Sequence, residues 1–453
     1  MYLCFLALLS YSIFFLIRKK ASIFYGLAEN SVSLLDAIVS PISDEEKFDL
    51  LKERNGGLLM SLLKFILFLC CFFAFAYFAN SFVFDLLKED TGYTAFSLFG
   101  ILSISFGSII AFILPRPKRD QNYSEIEQLL HRLALDNKNI HLRLFRRGLK
   151  RKKKSQEKGM DLFVVVSGLA RAGTTSFMNH LMDTEAFSSL SYNDMPFILS
   201  PGALNFIKRR NTEKERSHKD GIQIGVNSNE ALEEYFWKAS LQDAFIENEA
   251  LELHDVTTDI YNDYLSYQRL VIKDHNSIYL AKNNNFILRY KAIRERNKEF
   301  VFVLLVREPL SHAGSLLAMH KNYAELQETD PFVLEYMNWL GHHEFGINQK
   351  SMNLGAERKY KEKTSINFWI EEWINYYAFV LANIEEAELV FYEDYCKDPS
   401  VSIKNVMNKA GKEPKDLNLK AYSKKRAVEQ DFESELLNNA REIYTQLQAK
   451  FRS

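Results

Sequence analysis

The stretch "LFVVVSGLARAGTTSFMNHLM", residues 162–182, decides how the second half of this chain folds. Its first five residues are apolar and mostly β-branched, which is typical of a strand buried on both faces. A loop with two glycines follows, and "TTSFMNHLM" then begins a helix. Strand, glycine loop and helix in this order predict an anion site. The reason is that backbone N–H groups at a helix start converge on negative charge, and the helix dipole adds to the attraction.

The loop almost matches the phosphate-binding loop of nucleotide triphosphatases. Gly168 and Gly173 have the required four residues between them, but Thr174 stands where that pattern has lysine, and Arg171 places a cation inside the loop. Without the lysine, a triphosphate with its magnesium loses its main cationic ligand. The loop therefore favours a single phosphate that carries another group, with no metal. The residues predicted to bind it are Arg171, Ala172, Gly173, Thr174, Thr175 and Ser176.

A second anion motif follows a later strand, in "VREPLSHAGSLLAMH", residues 306–320. Arg307 leaves the strand, and Pro309 suits the first turn of a helix. Ser315 comes six residues after the proline, roughly 9 Å along the helix axis. An arginine and a hydroxyl placed in this way can hold one phosphate from two sides.

The second half of the chain alternates strand and helix patterns. The predicted strands are 162–167, 270–274, 300–306 and 388–393. Residues 366–384 have apolar side chains at helical spacing, and 431–451 read as an amphipathic helix that closes the domain. Long helices between strands imply a parallel sheet with right-handed crossovers. Residues 159–453 are therefore predicted to form an α/β domain with a P-loop-like parallel sheet flanked by helices.

Composition limits the partners. The chain has 453 residues, 25% of them charged, and a net charge of −1, which favours no nucleic-acid partner. Its four cysteines have no metal-ligand spacing and form no disulfide framework. A reducing compartment is therefore allowed.

Three apolar runs lie in the first 115 residues, at 2–17, 65–84 and 93–114. The last two reach the ~20 residues that a helix needs to cross ~30 Å of hydrocarbon. The first run is shorter, but no positive charge precedes it and no small-residue cleavage site follows it, so it is interpreted as a retained membrane helix and not a signal peptide. Residues 1–115 are thus predicted to be an all-helical transmembrane region.

Lysine and arginine placement predicts the orientation of these helices. Basic clusters follow the first run, precede the second and follow the third, whereas only Lys88 lies between the second and third. The positive-inside rule then puts the N-terminus outside, and it puts the loop 18–64 and everything from residue 116 onward in the cytoplasm. The chain is predicted to be an integral protein of a bacterial inner membrane. In the loop, "SDEE" at 43–46 predicts the capping box of an amphipathic helix.

A basic stretch, residues 143–154, lies within the segment 116–158, which is predicted to be a linker. Such a stretch can bind anionic lipid headgroups, at about 1 kcal/mol per charge close to the surface. A solvated linker has the same composition. The sequence leaves both readings open.

The two anion motifs together resemble the sulfotransferase family that uses 3′-phosphoadenosine 5′-phosphosulfate. In that family the first loop holds the 5′-phosphosulfate, and an arginine and a serine eight positions apart hold the 3′-phosphate. Arg307 and Ser315 match that spacing. "FYEDYCKDP", residues 391–399, is similar to a further segment of the family. The resemblance covers the predicted α/β domain and not the membrane region.

The resemblance also implies catalytic roles. Arg171 stands where many members carry lysine, and Lys282, in "LAKNNNFILRY", matches their second lysine. Both are expected to stabilise negative charge that grows on the bridging oxygen. The acceptor must lose a proton to a general base. Cytosolic members often have histidine two residues after the second lysine, where this chain has Asn284, and other branches use a carboxylate after the loop helix. The candidates here are Asp194, the first choice, then His218 and Glu234.

The sequence therefore predicts a membrane-anchored sulfotransferase with this donor as co-substrate and no metal. The acceptor is a hydroxyl or an amine, and membrane anchoring suggests a lipid-linked saccharide or glycolipid. Two alternatives remain open, a nucleotide kinase on the same fold and a membrane receptor that binds nucleotide without turnover. The missing lysine of the loop argues against the kinase.

Overall fold

The computed structural model describes residues 1–87, 94–114, 124–152, 161–201, 214–215, 223–224, 232–272, 274, 276–414 and 431–451. The chain divides into two compact units, Met1–Ile140 and His141–Ser453. The first unit is helical, and the second contains a parallel β-sheet.

The first unit is built from α1 (Tyr2–Lys19), α2 (Ala21–Val39), α3 (Asp44–Leu87), α4 (Leu98–Ile113) and α5 (Glu125–Leu135). Helix α1 packs against α4, and α2 packs against α3. Gly107 permits the first contact, because a Cβ there would lie 2.0 Å from the Ala7 carbonyl oxygen. The Arg18 guanidinium donates to the carbonyls of Ala111 and Leu114 at 2.6 and 2.7 Å, which satisfies the C-terminal end of α4.

The predicted capping box at 43–46 is present. The Ser43 N–H donates to the Glu46 carboxylate at 3.2 Å, and the Glu46 N–H donates to the Ser43 hydroxyl at 3.3 Å. The helix that it starts is not the separate amphipathic helix we expected. Helix α3 continues for 44 residues through the second apolar run, because no proline interrupts residues 44–87.

Within the described residues, two helices are long and apolar enough to cross a membrane by length and composition, α1 and the Asp44–Val83 part of α3. The third apolar run, predicted over 93–114, is described from residue 94, and its described part is helical over the sixteen residues of α4. That corresponds to about 24 Å at 1.5 Å per residue, less than ~30 Å of hydrocarbon. The Ser97 hydroxyl accepts the Gly100 N–H at 3.2 Å and so fixes the helix start after the beginning of the run.

The second unit contains a five-stranded sheet within its described residues, in the order β2-β6-β1-β7-β9, with every neighbouring pair parallel. Its strands are β1 (Val164–Ser167), β2 (Phe187–Ser188), β6 (Ile278–Lys282), β7 (Val301–Val306) and β9 (Glu388–Phe391). Two further pairs are β3 (Lys214–Glu215) with β4 (Gln223–Ile224), antiparallel, and β5 (Ala250–Glu252) with β8 (Ser351–Asn353), parallel.

Helices connect these strands. They are α6 (Lys138–Lys152), which begins before the unit boundary, α7 (Thr174–Asp183), α8 (Glu234–Ser240), α9 (Thr258–Val271), α10 (Tyr290–Arg296), α11 (Pro309–Thr329), α12 (Pro331–Leu340), α13 (Ile366–Asn383), α14 (Tyr392–Lys397), α15 (Pro399–Lys409) and α16 (Ser434–Phe451). The predicted helices at 366–384 and 431–451 correspond to α13 and α16.

The sheet is buried on both faces, as the apolar runs of β1 and β7 predict. On one face Val164 and Val166 join a core with Phe177 and Leu181 of α7 and Met407 of α15. Alternate strand residues point to the opposite face. There, Phe163 stacks on Phe300 with the ring centroids 5.0 Å apart. This parallel sheet flanked by helices is the predicted fold class, and a helical region with apolar helices precedes it.

The strand predicted at 270–274 is wrong. Helix α9 extends through Val271 and buries Tyr264, Tyr267 and Val271 at helical spacing. Of "LVI", the first two residues therefore belong to its last turn, and Ile272 is its C-cap. The real strand, β6, begins at Ile278. Periodicity alone does not separate a short apolar run of a strand from the buried end of a helix.

The segment predicted to be a basic linker contains α5 and α6. A capping box of Ser124 and Glu127 starts α5. In α6, Phe145 packs edge-on against the rings of Phe236 and Tyr267. The arginines of the 143–147 part of α6 are exposed, so these three basic residues lie on the outer face of a packed helix.

Candidate functional site

The site lies where β1, β6, β7 and β9 end. Because these strands are parallel, their carboxyl ends share one edge of the sheet. The register pairs Val166 with Lys282 and with Val303, and Val306 with Phe391. The residues that follow these positions therefore meet, and both predicted anion motifs are among them.

The β1–α7 loop has the tight geometry of an anion cradle. Gly168, Arg171 and Gly173 have φ angles of +148°, +72° and +102°. A Cβ on Gly168 would lie 2.8 Å from the Leu305 carbonyl oxygen, and one on Gly173 would lie 2.6 Å from the Tyr392 ring. Glycine is therefore required at both positions by backbone conformation and by space. Gly173 places the first N–H groups of α7 at the mouth of the loop with no side-chain cap from the described residues.

Lys282 reaches this helix start from the neighbouring strand. It is the last residue of β6, 9% exposed, and its Nζ donates to the Thr175 Oγ1 at 2.8 Å. The lysine that the sequence placed upstream of the second motif thus lies beside the loop of the first. Lys282 thus places a positive charge beside the first turn of α7.

The second motif contacts the first directly. The Arg171 Nε donates to the Ser315 Oγ on α11 at 3.4 Å, and the Arg307 Nη1 donates to the Arg171 backbone carbonyl at 3.1 Å. The Arg307 guanidinium also lies over the Tyr392 ring, 4.8 Å from its centroid. Arg171, Arg307 and Ser315 are all half-buried, so their charges and dipoles are only partly screened by water.

His312 holds the β1–α7 loop by a hydrogen bond to its backbone. The sequence did not predict this role. His312 lies one turn into α11, it is fully buried, and its Nε2 donates to the Ala170 carbonyl at 2.7 Å. Burial, with the nearby Arg307 charge second, lowers the pKa of His312 to about 3. The ring is therefore neutral at physiological pH and fixes the loop through one hydrogen bond. Its spacing three residues after Pro309 is the only sequence signal of this role.

Ser176 is engaged on the other side of α7. Its Oγ lies 3.0 Å from the Tyr395 hydroxyl, which in turn lies 2.7 Å from the His180 Nδ1. The Ser176 hydroxyl is therefore part of the packing between α7 and α14, and what it offers to a ligand is its backbone N–H. Tyr392 and Tyr395 both belong to the predicted segment 391–399.

Asp194, the first candidate for the general base, is placed in a short 3-10 turn (Tyr192–Asp194). It is 6% exposed, and its Oδ2 accepts the Ser191 N–H at 2.9 Å and the Ser191 hydroxyl at 3.2 Å. The carboxylate thus forms a capping box with Ser191. The S-x-x-D spacing in the sequence is the signal for that structural role.

Glu234, the third candidate, is held in a buried ion pair. Its Oε2 and Oε1 accept from the Arg289 guanidinium at 2.6 and 2.8 Å, and its Oε2 also accepts from the Asn283 amide at 2.9 Å. Both of its oxygens are therefore occupied. His218, the second candidate, lies outside the described residues.

A buried polar cluster around Glu233 supports the Lys282 end of β6. Glu233 is 2% exposed, and it accepts hydrogen bonds from Asn283, Tyr264, Tyr279 and Trp237 at 2.8 to 3.2 Å. Burial raises its pKa, and these four hydrogen bonds act in the opposite direction. Because Asn283 follows Lys282 directly, the cluster fixes the backbone that aims the lysine. Nothing in "LEEYFW" identified these glutamates as buried.

Within the described residues, no group of three or more His, Cys, Asp or Glu side chains is placed to hold a metal ion. The cations that surround the loop are arginine and lysine side chains.

Comparisons with known proteins complete the description. No family profile and no curated protein matches the chain. Among solved structures, a sulfotransferase from Alicyclobacillus acidocaldarius is 11% identical with a TM-score of 0.32, over 64% of this chain and 95% of that one. A sulfotransferase from Mycobacterium tuberculosis is 13% identical with a TM-score of 0.35, over 82% and 94%.

The sulfotransferase domain from the curacin biosynthetic pathway is 14% identical with a TM-score of 0.30, over 65% of this chain and 99% of that domain.

Proposed function

We propose that the C-terminal unit is a sulfotransferase that moves the sulfuryl group of 3′-phosphoadenosine 5′-phosphosulfate to a hydroxyl or amine acceptor. One observation carries the proposal. Two anion motifs, predicted separately and 136 residues apart in Arg171 and Arg307, are in contact at one edge of the sheet. A ligand with two separate phosphate groups is what two adjoining anion motifs fit.

The first motif suits the 5′-phosphosulfate. The N–H groups at the start of α7 and the hydroxyls of Thr174 and Thr175 offer hydrogen bonds to one phosphate. Two cations are close by, since Lys282 contacts Thr175 and Arg171 belongs to the loop itself. As the sulfuryl group leaves, negative charge grows on the oxygen that bridged sulfur and phosphorus. Preorganised cations beside that oxygen lower the barrier, and they do so without a triphosphate lysine or a magnesium ion.

The second motif suits the 3′-phosphate. Arg307 and Ser315 are half-buried and converge on the Arg171 loop. Charged hydrogen bonds from a partly desolvated arginine are stronger than those at an open surface. The donor would therefore be distinguished from other adenine nucleotides by its 3′-phosphate.

The reaction is an in-line displacement at sulfur. The acceptor oxygen or nitrogen forms a bond to sulfur, the bond from sulfur to the bridging oxygen breaks, and adenosine 3′,5′-bisphosphate leaves with that electron pair. The acceptor's proton passes to a base of the protein. The apolar N-terminal helices support a membrane-associated acceptor, a saccharide or glycolipid, with the catalytic unit in the cytoplasm.

The test is transfer of label. The detergent-solubilised full chain is incubated with donor labelled on sulfur and with a membrane extract, and lipid and glycan fractions are separated. We expect label in one discrete band. At a donor concentration near the wild-type Kd, the Arg307→Ala protein should label that band about fivefold more slowly, because tenfold weaker binding lowers donor occupancy from about one half to about one tenth. Tight donor binding with no labelled product in any fraction would instead identify a nucleotide-binding receptor.

A further inference from the structure

We infer that Glu344 is the general base that takes the acceptor's proton. This inference rests on the proposed sulfuryl transfer and adds to it a residue that no motif of the sequence identified. Glu344 lies in the segment between α12 and β8, and it is brought to the site by a contact with the residues that follow Lys282.

The position of Glu344 is set by Asn284. The Asn284 Nδ2 donates to the Glu344 Oε1 at 3.3 Å. Asn284 opens the 3-10 turn Asn284–Arg289, two residues after Lys282, whose Nζ contacts Thr175. Lys282 ends β6 and Asn283 is also extended, so Asn284 lies about 7 Å further along the chain, with its side chain on the same side as that of Lys282. Since the Lys282 Nζ contacts Thr175, this is the side that faces the start of α7, and Asn284 holds the Glu344 carboxylate there.

The side-chain oxygen of Asn284 also indicates that a ligand binds beside it. Asn284 is 9% exposed, and its Oδ1 has no hydrogen-bond partner among the described residues. A buried acceptor without a donor costs about 1–3 kcal/mol, so such atoms are normally satisfied. A hydroxyl or amine of the sulfuryl acceptor is a donor of the required kind. The same amide would then orient both the acceptor and Glu344.

Glu344 is free to act as a base, unlike the other candidates. It is half-buried, and among the described residues its side chain accepts a hydrogen bond from the Asn284 amide alone and forms no ion pair. Its Oε2 therefore has lone pairs available. Asp194 and Glu234, in contrast, use their carboxylates for a capping box and for a bidentate ion pair.

The segment that carries Glu344 is held firmly. The His343 Nδ1 lies 3.0 Å from the Asn348 carbonyl, and the Gly346 N–H donates to the His320 Nδ1 at 3.2 Å. The Ile347 N–H donates to the Gln327 side chain at 2.6 Å. These bonds fix the backbone on both sides of Glu344. The position of the carboxylate therefore depends on the rotamer of the Glu344 side chain alone. A base needs such fixed positioning within hydrogen-bond reach of the proton.

Proton transfer to Glu344 accompanies sulfuryl transfer and needs no further reactant. The acceptor O–H or N–H proton passes to a Glu344 carboxylate oxygen while the acceptor atom bonds to sulfur. The bond from sulfur to the bridging oxygen breaks, and its electron pair stays on the 5′-phosphate. Glu344 is left protonated and returns its proton to water after release of the products.

The experiment compares the full-length Glu344→Gln protein with the wild type. We expect turnover to fall by ~10² to 10⁴ while the Kd of adenosine 3′,5′-bisphosphate changes less than twofold. Glu328→Gln is the matched control, because Glu328 is exposed on α11, and this variant should keep wild-type turnover. Wild-type turnover in Glu344→Gln would overturn the inference. Absence of transfer by the wild type itself would instead overturn the proposed function.

A second variant, Glu344→Ala, tests the inference if the Glu344→Gln protein does not fold. If Glu344→Gln does not bind the bisphosphate, Glu344→Ala is measured with and without added formate. Recovery of turnover with formate, which supplies the missing carboxylate, supports the assignment. Turnover of Glu344→Ala equal to that of the wild type, or no recovery in a protein that binds the bisphosphate, contradicts it.

Discussion

Arg171 adopts a left-handed backbone conformation, with φ +72°, that a non-glycine residue enters at a cost of roughly 1 kcal/mol or more. The conformation turns its carbonyl toward Arg307 and its side chain toward Ser315. One strained residue therefore links both anion motifs. Lys282, at the end of β6, adds a third cation beside the β1–α7 loop through its contact with Thr175.

The two cations of the first motif should act on the transition state more than on the bound donor. Replacing Arg171 or Lys282 with alanine is expected to lower kcat by ~10² or more, with a smaller change in donor Kd, because charge on the bridging oxygen grows only during transfer. Arg307→Ala should do the reverse and mainly weaken the donor. Single-turnover rates and calorimetric Kd values separate the two effects. An Arg171→Ala protein with intact kcat and weaker binding would reduce the loop to an anion cradle.

Asp194 gives a contrasting expectation. Because its carboxylate caps the turn at Ser191, Asp194→Asn should lower the free energy of unfolding by about 1 kcal/mol and leave kcat within a few-fold of the wild type. Chemical denaturation and steady-state rates measure both quantities. A loss of kcat by ~10² or more with unchanged stability would return Asp194 to the role of base and displace Glu344.

At the scale of elements, the β1–α7 loop depends on glycine at its exit. Gly173→Ala should weaken bisphosphate binding at least tenfold, because the added Cβ meets the Tyr392 ring at 2.6 Å and pushes the loop away from Arg307. Gly355→Ala is the control. Gly355 also has a positive φ, +88°, but its Cβ would meet nothing within 4 Å. Equal binding losses in the two variants would contradict the expectation, because the loss would then follow from substitution at any positive φ and not from the contact with Tyr392.

The elements differ in how well the sequence predicts them. Strands β1 and β7 are continuous apolar runs, so burial on both faces is visible in the residues themselves. Strand β6 is less apolar, "IYLAK", and the helix end before it has the more apolar run. The local apolar pattern therefore predicted a strand at 270–274 in place of β6. Only the pairing of β6 with β1 and β2 identifies it.

The candidate site divides in the same way. Loop chemistry is local, so spacing in the sequence is enough to predict the residues of both anion motifs. The cluster around Glu233, the support from His312 and the contact between Asn284 and Glu344 all join residues far apart in the chain. Their partners are fixed by the packing of helices on the sheet, and no spacing in the sequence records that packing.

At the scale of the whole molecule, apolar helices precede the parallel sheet, and the basic clusters predict which side of a membrane the sheet occupies. A reporter fused after Ser453 should be active only in the cytoplasm, and one inserted between α3 and α4 only outside. Two reporters that are active in opposite compartments, such as alkaline phosphatase and a fluorescent protein, show on which side of the membrane each fusion point lies. Export of the C-terminal reporter would reverse the predicted orientation and separate the catalytic unit from a cytosolic donor.

The contact between the β1–α7 loop and the Arg307–Ser315 motif is expected to form one site for a nucleotide with phosphates at both 3′ and 5′ positions. Calorimetric titration of the purified full chain with adenosine 3′,5′-bisphosphate and with 5′-AMP tests it most directly. We predict that the bisphosphate binds at least tenfold more tightly, roughly 1.4 kcal/mol, and that Arg307→Ala removes the difference. Equal affinities for the two nucleotides in the wild type would contradict this expectation.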